Sequence, residues 1–266
     1  MNHKQKNTER FSGFTDIYDS TRPRLPYCVA HRLIALLGKN PELVLDVGCG
    51  SGLSSGIWQN ISRKTIGIEP GEDMYQLALS KSSDKLSFIK AFSDAIPLPD
   101  DCADIIVCSQ SFHWMEPSST LKEFNRLLKP NGVFACVDYD WPPFVHEQVK
   151  SAYATLNFKV HQLEEQESSL QETFVRYPKN KHLQNISDSG YFAICQEENF
   201  SSTETCTRER LLQMVYSQSG LQTVLRLMPQ AIETELAAYK EAVASSYGDS
   251  PFTIGFTYKM RYGIKK

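Results

Sequence analysis

The chain has 266 residues, 41% hydrophobic and 22% charged, with a formal net charge of −3. That length suits one large α/β domain, or a core with an inserted or appended subdomain, and needs no disulfide staples. The mild acidity argues against nucleic acid or an anionic membrane as partner. No apolar run is long enough to span a bilayer.

The first ten residues lack a following apolar stretch, so they read as a frayed end rather than a signal peptide. Residues 11–26 combine Phe11, Phe14, Ile17 and Tyr18 with Arg22-Pro23 and Leu25-Pro26. That composition wants burial. Either the segment folds over a site, with Tyr18 and Arg22 toward a ligand carboxylate, or it packs on the sheet edge.

Residues 26–37 read as a helix stopped by Gly38. Leu43 to Val47 is a short buried strand that runs into Gly48, Gly50 and Gly52. A helix is expected from about Leu53 to Asn60. Strands follow at 65–69, 86–91, 104–108 and 133–138, separated by helices at 72–80 and 119–128. Lys129 to Gly132 reads as a turn. The near-continuous apolar character of residues 104–108 fits a parallel strand covered on both faces.

Five strands alternating with helices mean an α/β fold with a doubly wound, mostly parallel sheet. Beyond Trp141-Pro-Pro143 the pattern becomes polar and helix-prone. Residues 144–200 and 208–248 are expected to form a helical cap inserted in the C-terminal half. Strand six is placed at 204–207 and the terminal strand within 251–266. The whole chain is read as one domain, with a cofactor-binding core over 27–140 and the cap and substrate region over 141–250.

Seven cysteines, at 28, 49, 102, 108, 136, 195 and 206, contain no C-x-x-C pair. They read as reduced thiols in a cytoplasmic protein. No metal site is expected.

The chemistry starts at the glycines. A dinucleotide fingerprint is G-x-G-x-x-G, with the last glycine allowing close helix packing. Here Gly52 comes one residue early and Leu53 stands where that glycine belongs. Asp46, at the end of the strand, disfavours a pyrophosphate, because two anions would compete for one helix start. It suits a ligand carrying a cationic amine. S-Adenosylmethionine combines adenosine, no phosphate, an ammonium and a sulfonium.

Glu69 ends strand two, 17 positions after Gly52. Its carboxylate can accept both ribose hydroxyls in charge-assisted bonds, a feature that NAD sites share. Met74 either packs on the adenine or belongs to the core, with core packing preferred. Asp94, followed by Ala95, can accept the adenine amine, or it simply starts a turn. Strand four ends in Ser109-Gln-Ser-Phe-His-Trp-Met115. Its position past a strand end gives Gln110, Phe112, His113 and Trp114 access to a crevice, where aromatic rings can enclose a sulfonium.

Taken together, Asp46-Val-Gly-Cys-Gly-Ser-Gly52, Glu69-Pro70, the Asp94 loop and Gln110-Ser-Phe-His-Trp114 resemble a class I S-adenosylmethionine-dependent methyltransferase. The similarity is to the small-molecule branch that includes the trans-aconitate methyltransferases. Tyr18-Asp-Ser-Thr-Arg-Pro23 and Tyr216-Ser-Gln-Ser219 resemble that branch too. The likeness is good over residues 14–138 and loose beyond.

What the resemblance implies is a seven-stranded sheet with the last strand antiparallel. It also implies that S-adenosylmethionine is bound, and S-adenosylhomocysteine released, by Asp46, Gly48, Cys49, Gly50, Glu69, Pro70, Met74, Asp94, Ala95 and Gln110. Tyr18 and Arg22 would lie near the methionine carboxylate. No Asn-Pro-Pro-Tyr type tetrapeptide follows strand four, which counts against base methylation of nucleic acid.

The resulting expectation is methyl transfer to a small molecule, with a carboxylic acid as the first candidate, by a monomer or homodimer. A catalytically silent cofactor-binding module is the first rival, and an NAD(P)-dependent oxidoreductase the second. His113 is the candidate base. A packing role is the preferred reading, because a carboxylate acceptor needs no base. His113, Trp114, Tyr139, Trp141 and Tyr216, with Tyr191 and Arg226, are candidates to line the acceptor side.

Overall fold

The computed structural model describes residues 3–10, 13, 15–171 and 174–266. Phe11 and Phe14, expected to be buried, lie outside them. The seven strands are β1 (Leu43–Val47), β2 (Lys64–Ile68), β3 (Leu86–Ile89), β4 (Ala103–Ser109), β5 (Leu128–Tyr139), β6 (Phe192–Cys206) and β7 (Phe252–Lys265). They form one sheet in the order β3-β2-β1-β4-β5-β7-β6. β1 pairs in parallel with β2 and β4, β2 with β3, and β4 with β5. β7 pairs antiparallel with β5. The sheet is therefore α/β and doubly wound, with the expected antiparallel last strand.

The chain resolves into two compact units. The sheet unit holds residues 24–139, 175–200 and 258–266. Its core follows from sequence: Val44, Leu45, Ile105, Ile106 and Val107 are buried, because central parallel strands need apolar side chains on both faces. Leu121, Phe124 and Leu127, on one face of the helix Pro117–Leu127, are buried with Phe112 and Phe134. Gly38 ends the helix Tyr27–Leu37 in a left-handed conformation, φ 75°, donating to Ile34 O.

Strand order reverses between β1 and β4, which are neighbours whose onward connections lead to opposite edges. In open α/β sheets the crevice for a ligand opens at the carboxyl ends of the strands there. The Gly48 turn and the loop after Ser109 both start from that point.

Three expectations change here. The helix expected from Leu53 is only a 3₁₀ segment, Ser55–Asn60, because Ser54, Ser55 and Gly56 are weak helix formers. The turn at Lys129–Gly132 is present in Asn131, φ 62°, but lies within β5. The largest change concerns residues 175–200. They belong to the sheet unit, and β6 starts at Phe192 rather than 204. As an edge strand it is rich in Gln, Glu, Asn and Ser, which protects an edge and hides the strand signal.

The helical unit holds residues 1–23, 140–174 and 201–257. Its helices Glu147–Gln166 and Glu233–Ser246 carry Tyr153 and Tyr239, whose rings meet edge-on at 6.3 Å. Tyr239 Oη donates to Leu211 O at 3.1 Å. Residues 3–10 are not frayed, contrary to the expectation for the first ten. His3–Glu9 is helical, and buried Arg10 pairs with buried Glu164 and donates to Ser219 Oγ. Among the described residues no helix is long and apolar enough to cross a membrane.

Candidate active site

The turn after β1 is fastened by its own backbone. Gly48 N and Cys49 N donate to Ile68 O at 2.8 and 3.1 Å. Gly50 N donates to Glu69 Oε2 at 2.9 Å, and Gly71 N to Glu69 Oε1 at 2.8 Å. Gly48, Gly50 and Gly52 all have positive φ. Their reasons differ. A Cβ on Gly48 would meet Ser111 Cβ at 2.5 Å, and one on Gly52 would meet the Phe88 ring at 2.7 Å. A Cβ on Gly50 would meet only Met74 Sδ, at 4.0 Å. Gly48 and Gly52 are glycines for packing, whereas Gly50 leaves open room above the backbone, as a close ligand requires.

Two carboxyls lie under this turn. Asp46 is fully buried. Its Oδ2 accepts from Ser55 Oγ at 2.6 Å, while Oδ1 has no hydrogen-bond partner. Burial pushes Asp46 up to about 6 and Glu69 up to about 7, and the nearby Asp46 charge adds to the rise at Glu69. Burial also raises the Cys49 thiol well above its ordinary range, so Cys49 is no nucleophile here. An orphaned buried carboxylate oxygen asks for a donor, and the amine of an amino-acid tail is one. Glu69 keeps further lone pairs for ribose hydroxyls. Met74 is buried, in keeping with core packing, and Pro70 is half-buried.

Asp94 and Ala95 lie in a turn beyond β3 in which Ala95 N donates to Phe92 O at 3.2 Å. Asp94 is half-buried and Ala95 exposed. The turn is tied to the helix Pro117–Leu127 by Ile96 N donating to Glu123 Oε1 at 2.9 Å.

A second cluster follows β4. Gln110 has φ 57°, rare for a side-chain-bearing residue. Its N–H donates to Val137 O at 2.9 Å, which aims the loop back over β5. Ser111 Oγ donates to Val47 O at 2.7 Å, tying this loop to the β1 turn. His113 is buried, its ring 4.9 Å from that of half-buried Trp114. Tyr139 is buried, with its ring 5.8 Å from that of Tyr258.

The structure also brings in residues that sequence reasoning passed over. Asp138, next to last in β5, lies 3.7 Å through Oδ1 from His113 Nδ1, and 3.8 Å through Oδ2 from His182 Nε2. Lys179 Nζ meets Asp138 Oδ1 at 2.9 Å and Gln110 Oε1 at 2.8 Å. Arg261 Nη1 meets Asp138 Oδ2 at 3.2 Å. Tyr177 N donates to His113 O at 2.8 Å, and the Arg176 guanidinium lies over the Trp114 ring. One signal was available: Asp138 is the lone acid of β5 and directly follows the apolar run 133–137. Lys179 carried none, being 69 positions from Gln110.

His113, Asp138 and His182 offer ligand atoms within 4.8 Å of one another, a spacing that admits a metal ion. Both oxygens of the one carboxylate already face a cation, Lys179 or Arg261, and that charge opposes a divalent ion.

Tyr18, Arg22, Trp141 and Tyr216 belong to the helical unit. There the Arg22 guanidinium lies over the Tyr18 and Trp141 rings and donates to Ser217 O at 2.7 Å. Trp141 stacks on Tyr153, and Lys240 lies over Tyr216. Tyr191 is half-buried in the sheet unit, and Arg226 lies in the helical unit.

Residues 45–136 match the family model described as a methyltransferase domain. An uncharacterized methyltransferase of Schizosaccharomyces pombe is 32% identical over 127 residues, 46% of this chain and 50% of that protein. Over residues 45–136, then, the chain carries a methyltransferase domain. It spans about half the length of the first curated relatives that it matches. A solved structure from Anaeromyxobacter dehalogenans, assigned as a type II methyltransferase, aligns over 91% of this chain and 97% of its own. Its TM-score is 0.70 at 20% identity. Geranyl diphosphate C-methyltransferase of Streptomyces coelicolor, solved with S-adenosylhomocysteine, aligns over 90% of this chain and 77% of its own at 13% identity, TM-score 0.51. At these identities the structural likeness is one of fold. The matched residues run from β1 into β5 and include the β1 turn, Glu69 and the Gln110–Trp114 loop, whereas Asp138, Lys179, His182 and Arg261 lie beyond them.

Proposed function

We propose that the protein transfers the methyl group of S-adenosylmethionine to a small-molecule acceptor. One observation carries the reading. The N–H groups of Gly48, Cys49 and Gly50 are all engaged, by Ile68 O and by the Glu69 carboxylate, above buried Asp46. A turn whose first three N–H groups are already engaged, with two carboxyls beneath it, disfavours a pyrophosphate and favours a cationic tail. This disfavours the NAD(P) rival. Glu69 is assigned to the ribose, Asp46 to the ammonium side of the turn, Asp94 and Ala95 to the adenine, and Gln110 to the sulfonium end. When bound, the cofactor supplies a methyl carbon already activated by the sulfonium. The protein's own part is then to orient the acceptor and exclude water.

Carboxylic acids, which the resemblance suggests, and hydroxyl compounds are the two acceptor classes to compare. We assign the protein to the cytoplasm because all seven cysteines are free thiols. Calorimetry with S-adenosylmethionine, S-adenosylhomocysteine and NADH tests the cofactor. Micromolar binding of the first two alone is expected, and binding of NADH alone would overturn the reading. Transfer of label from methyl-tritiated S-adenosylmethionine to a metabolite panel separates an enzyme from a silent binding module.

A further inference from the structure

We propose that Asp138 is a positioning residue for His113, and that the pair takes the proton from an acceptor that still carries one, an alcohol or phenol hydroxyl. This rests on the methyl-transfer reading above and narrows its acceptor class.

Two imidazoles approach the one carboxylate, and they are not equivalent. His182 is fully buried, packs edge-on against Phe112 at 4.9 Å, and is held down to about 4 by burial. It is a neutral wall. His113 keeps 7% exposure and stands in the loop past the carboxyl end of β4, beside half-buried Trp114. That is where a doubly wound sheet presents its reacting groups. Its Nδ1 is the nitrogen that lies 3.7 Å from Asp138. The span exceeds a hydrogen bond, and in ligand-free enzymes catalytic bonds are often long and tighten on binding. With Nδ1–H toward the carboxylate, the lone pair is left on Nε2, on the far side of the ring.

The charged groups around the pair are Lys179 and Arg261 on the Asp138 oxygens, and Arg176 over Trp114. The two cations hold the carboxylate in place, and Tyr177 N holds the His113 backbone. Lys179 also bonds Gln110, so one amine links Asp138 to the loop that carries His113.

In the step, the acceptor oxygen bonds the methyl carbon as its O–H proton passes to Nε2 of His113. The C–S bond breaks and its electron pair stays on sulfur, which leaves a neutral thioether. Imidazolium at His113 is then paired with Asp138 and later loses its proton to water. A carboxylate acceptor brings no proton, and for it this pair would be idle.

The test uses the full chain labelled with ¹⁵N in its six histidines, with S-adenosylhomocysteine added. Long-range ¹H–¹⁵N spectra read the tautomer of each ring, and His113→Gln identifies the His113 signals. The expected result is neutral His113 as the Nδ1–H form, with Asp138→Asn shifting it toward Nε2–H. An Nε2–H form of His113 in the unsubstituted protein overturns the proposal, whatever Asp138→Asn does. With labelled S-adenosylmethionine and acceptor pairs that differ only in hydroxyl versus carboxyl, Asp138→Asn should slow hydroxyl methylation at least about tenfold. That loss should shrink at alkaline pH, with S-adenosylhomocysteine affinity held. A pH–rate profile unchanged by Asp138→Asn, or turnover of the carboxylic acids alone, also overturns it. Loss of all cofactor binding would instead overturn the methyl-transfer reading, and the tautomer would still be readable.

Discussion

The β1 turn and the β4 loop start from adjacent strands, yet they are built by different means. Gly48 to Gly52 is held by bonds from its own N–H groups to Ile68 O and Glu69 at the end of β2, and by two glycines, Gly48 and Gly52, with no room for a side chain. Gln110 to Trp114 is held by groups from far along the chain: the Lys179 side chain, the Tyr177 backbone N–H and, through Asp138, Arg261. A turn made of backbone admits little change of geometry. A loop held by distant groups can be altered without touching the β1 turn, which fits the acceptor side proposed above.

Substitutions should expose that difference. Gly48→Ala should cost the most, about 2–4 kcal/mol of stability in urea melts, because its Cβ meets Ser111 and Met115 at a positive φ. Gly50→Ala, with strain but open space, should cost only about 1–2 kcal/mol. Equal losses would refute the distinction between packing and ligand-facing glycines. Glu69→Ala should weaken S-adenosylmethionine binding by roughly 1.5–3 kcal/mol by calorimetry, through two lost charge-assisted bonds. Unchanged affinity would remove Glu69 from the site.

Acidity probes the same turn. Asp46 and Glu69 have folded values near 6 and 7, above their ordinary 3.8 and 4.5. For acids raised in this way the folded state binds protons more tightly than the unfolded chain. Their penalty is absent below about pH 4 and complete once pH passes about 7. The ligand-free protein should therefore melt lower at pH 8 than at pH 5.5. Glu123, Glu116 and Asp104, which are lowered, act in the opposite sense only as pH falls below their ordinary values. His182, held down to about 4 from 6.5, opposes the trend below about pH 6.5 and so reduces the difference without the two raised carboxyls losing their lead. A cationic ligand needs the carboxylates ionised, so S-adenosylmethionine should bind more tightly at pH 8 than at pH 5.5. A melting temperature that rises from pH 5.5 to 8 without ligand would contradict the burial argument. The smallest effect is expected from Lys179→Met. It should cost about 0.5–1.5 kcal/mol in urea melts, because that amine is partly exposed. S-Adenosylmethionine affinity should change little. A loss as large as that of Gly48→Ala would mean that the β4 loop is as much a framework as the β1 turn.

The division also explains what could be read without a structure. The strand at 43–47, the early third glycine, the acid at 46 and the acid at 69 are near neighbours in sequence, and each has a local physical meaning. The cofactor chemistry was suggested by their charges, and the antiparallel last strand was implied by the family resemblance that they carry. β6 was read too short because an edge strand with one solvated face resembles a polar helix in composition. Residues 175–200 were placed in the cap for the same reason.

By itself, the sequence determined the sheet, the cofactor turn and the class of reaction that the domain is built for. Those features depend on hydrophobic period, on glycine conformation and on charge within a few residues of a turn. Only the tertiary structure decided that Asp138 stands beside His113, that His182 stands on its other side as a neutral wall, and that Lys179 joins Gln110 to Asp138. The groups of that cluster come from positions 110 to 261, and only folding brings them within a few ångströms of one carboxylate.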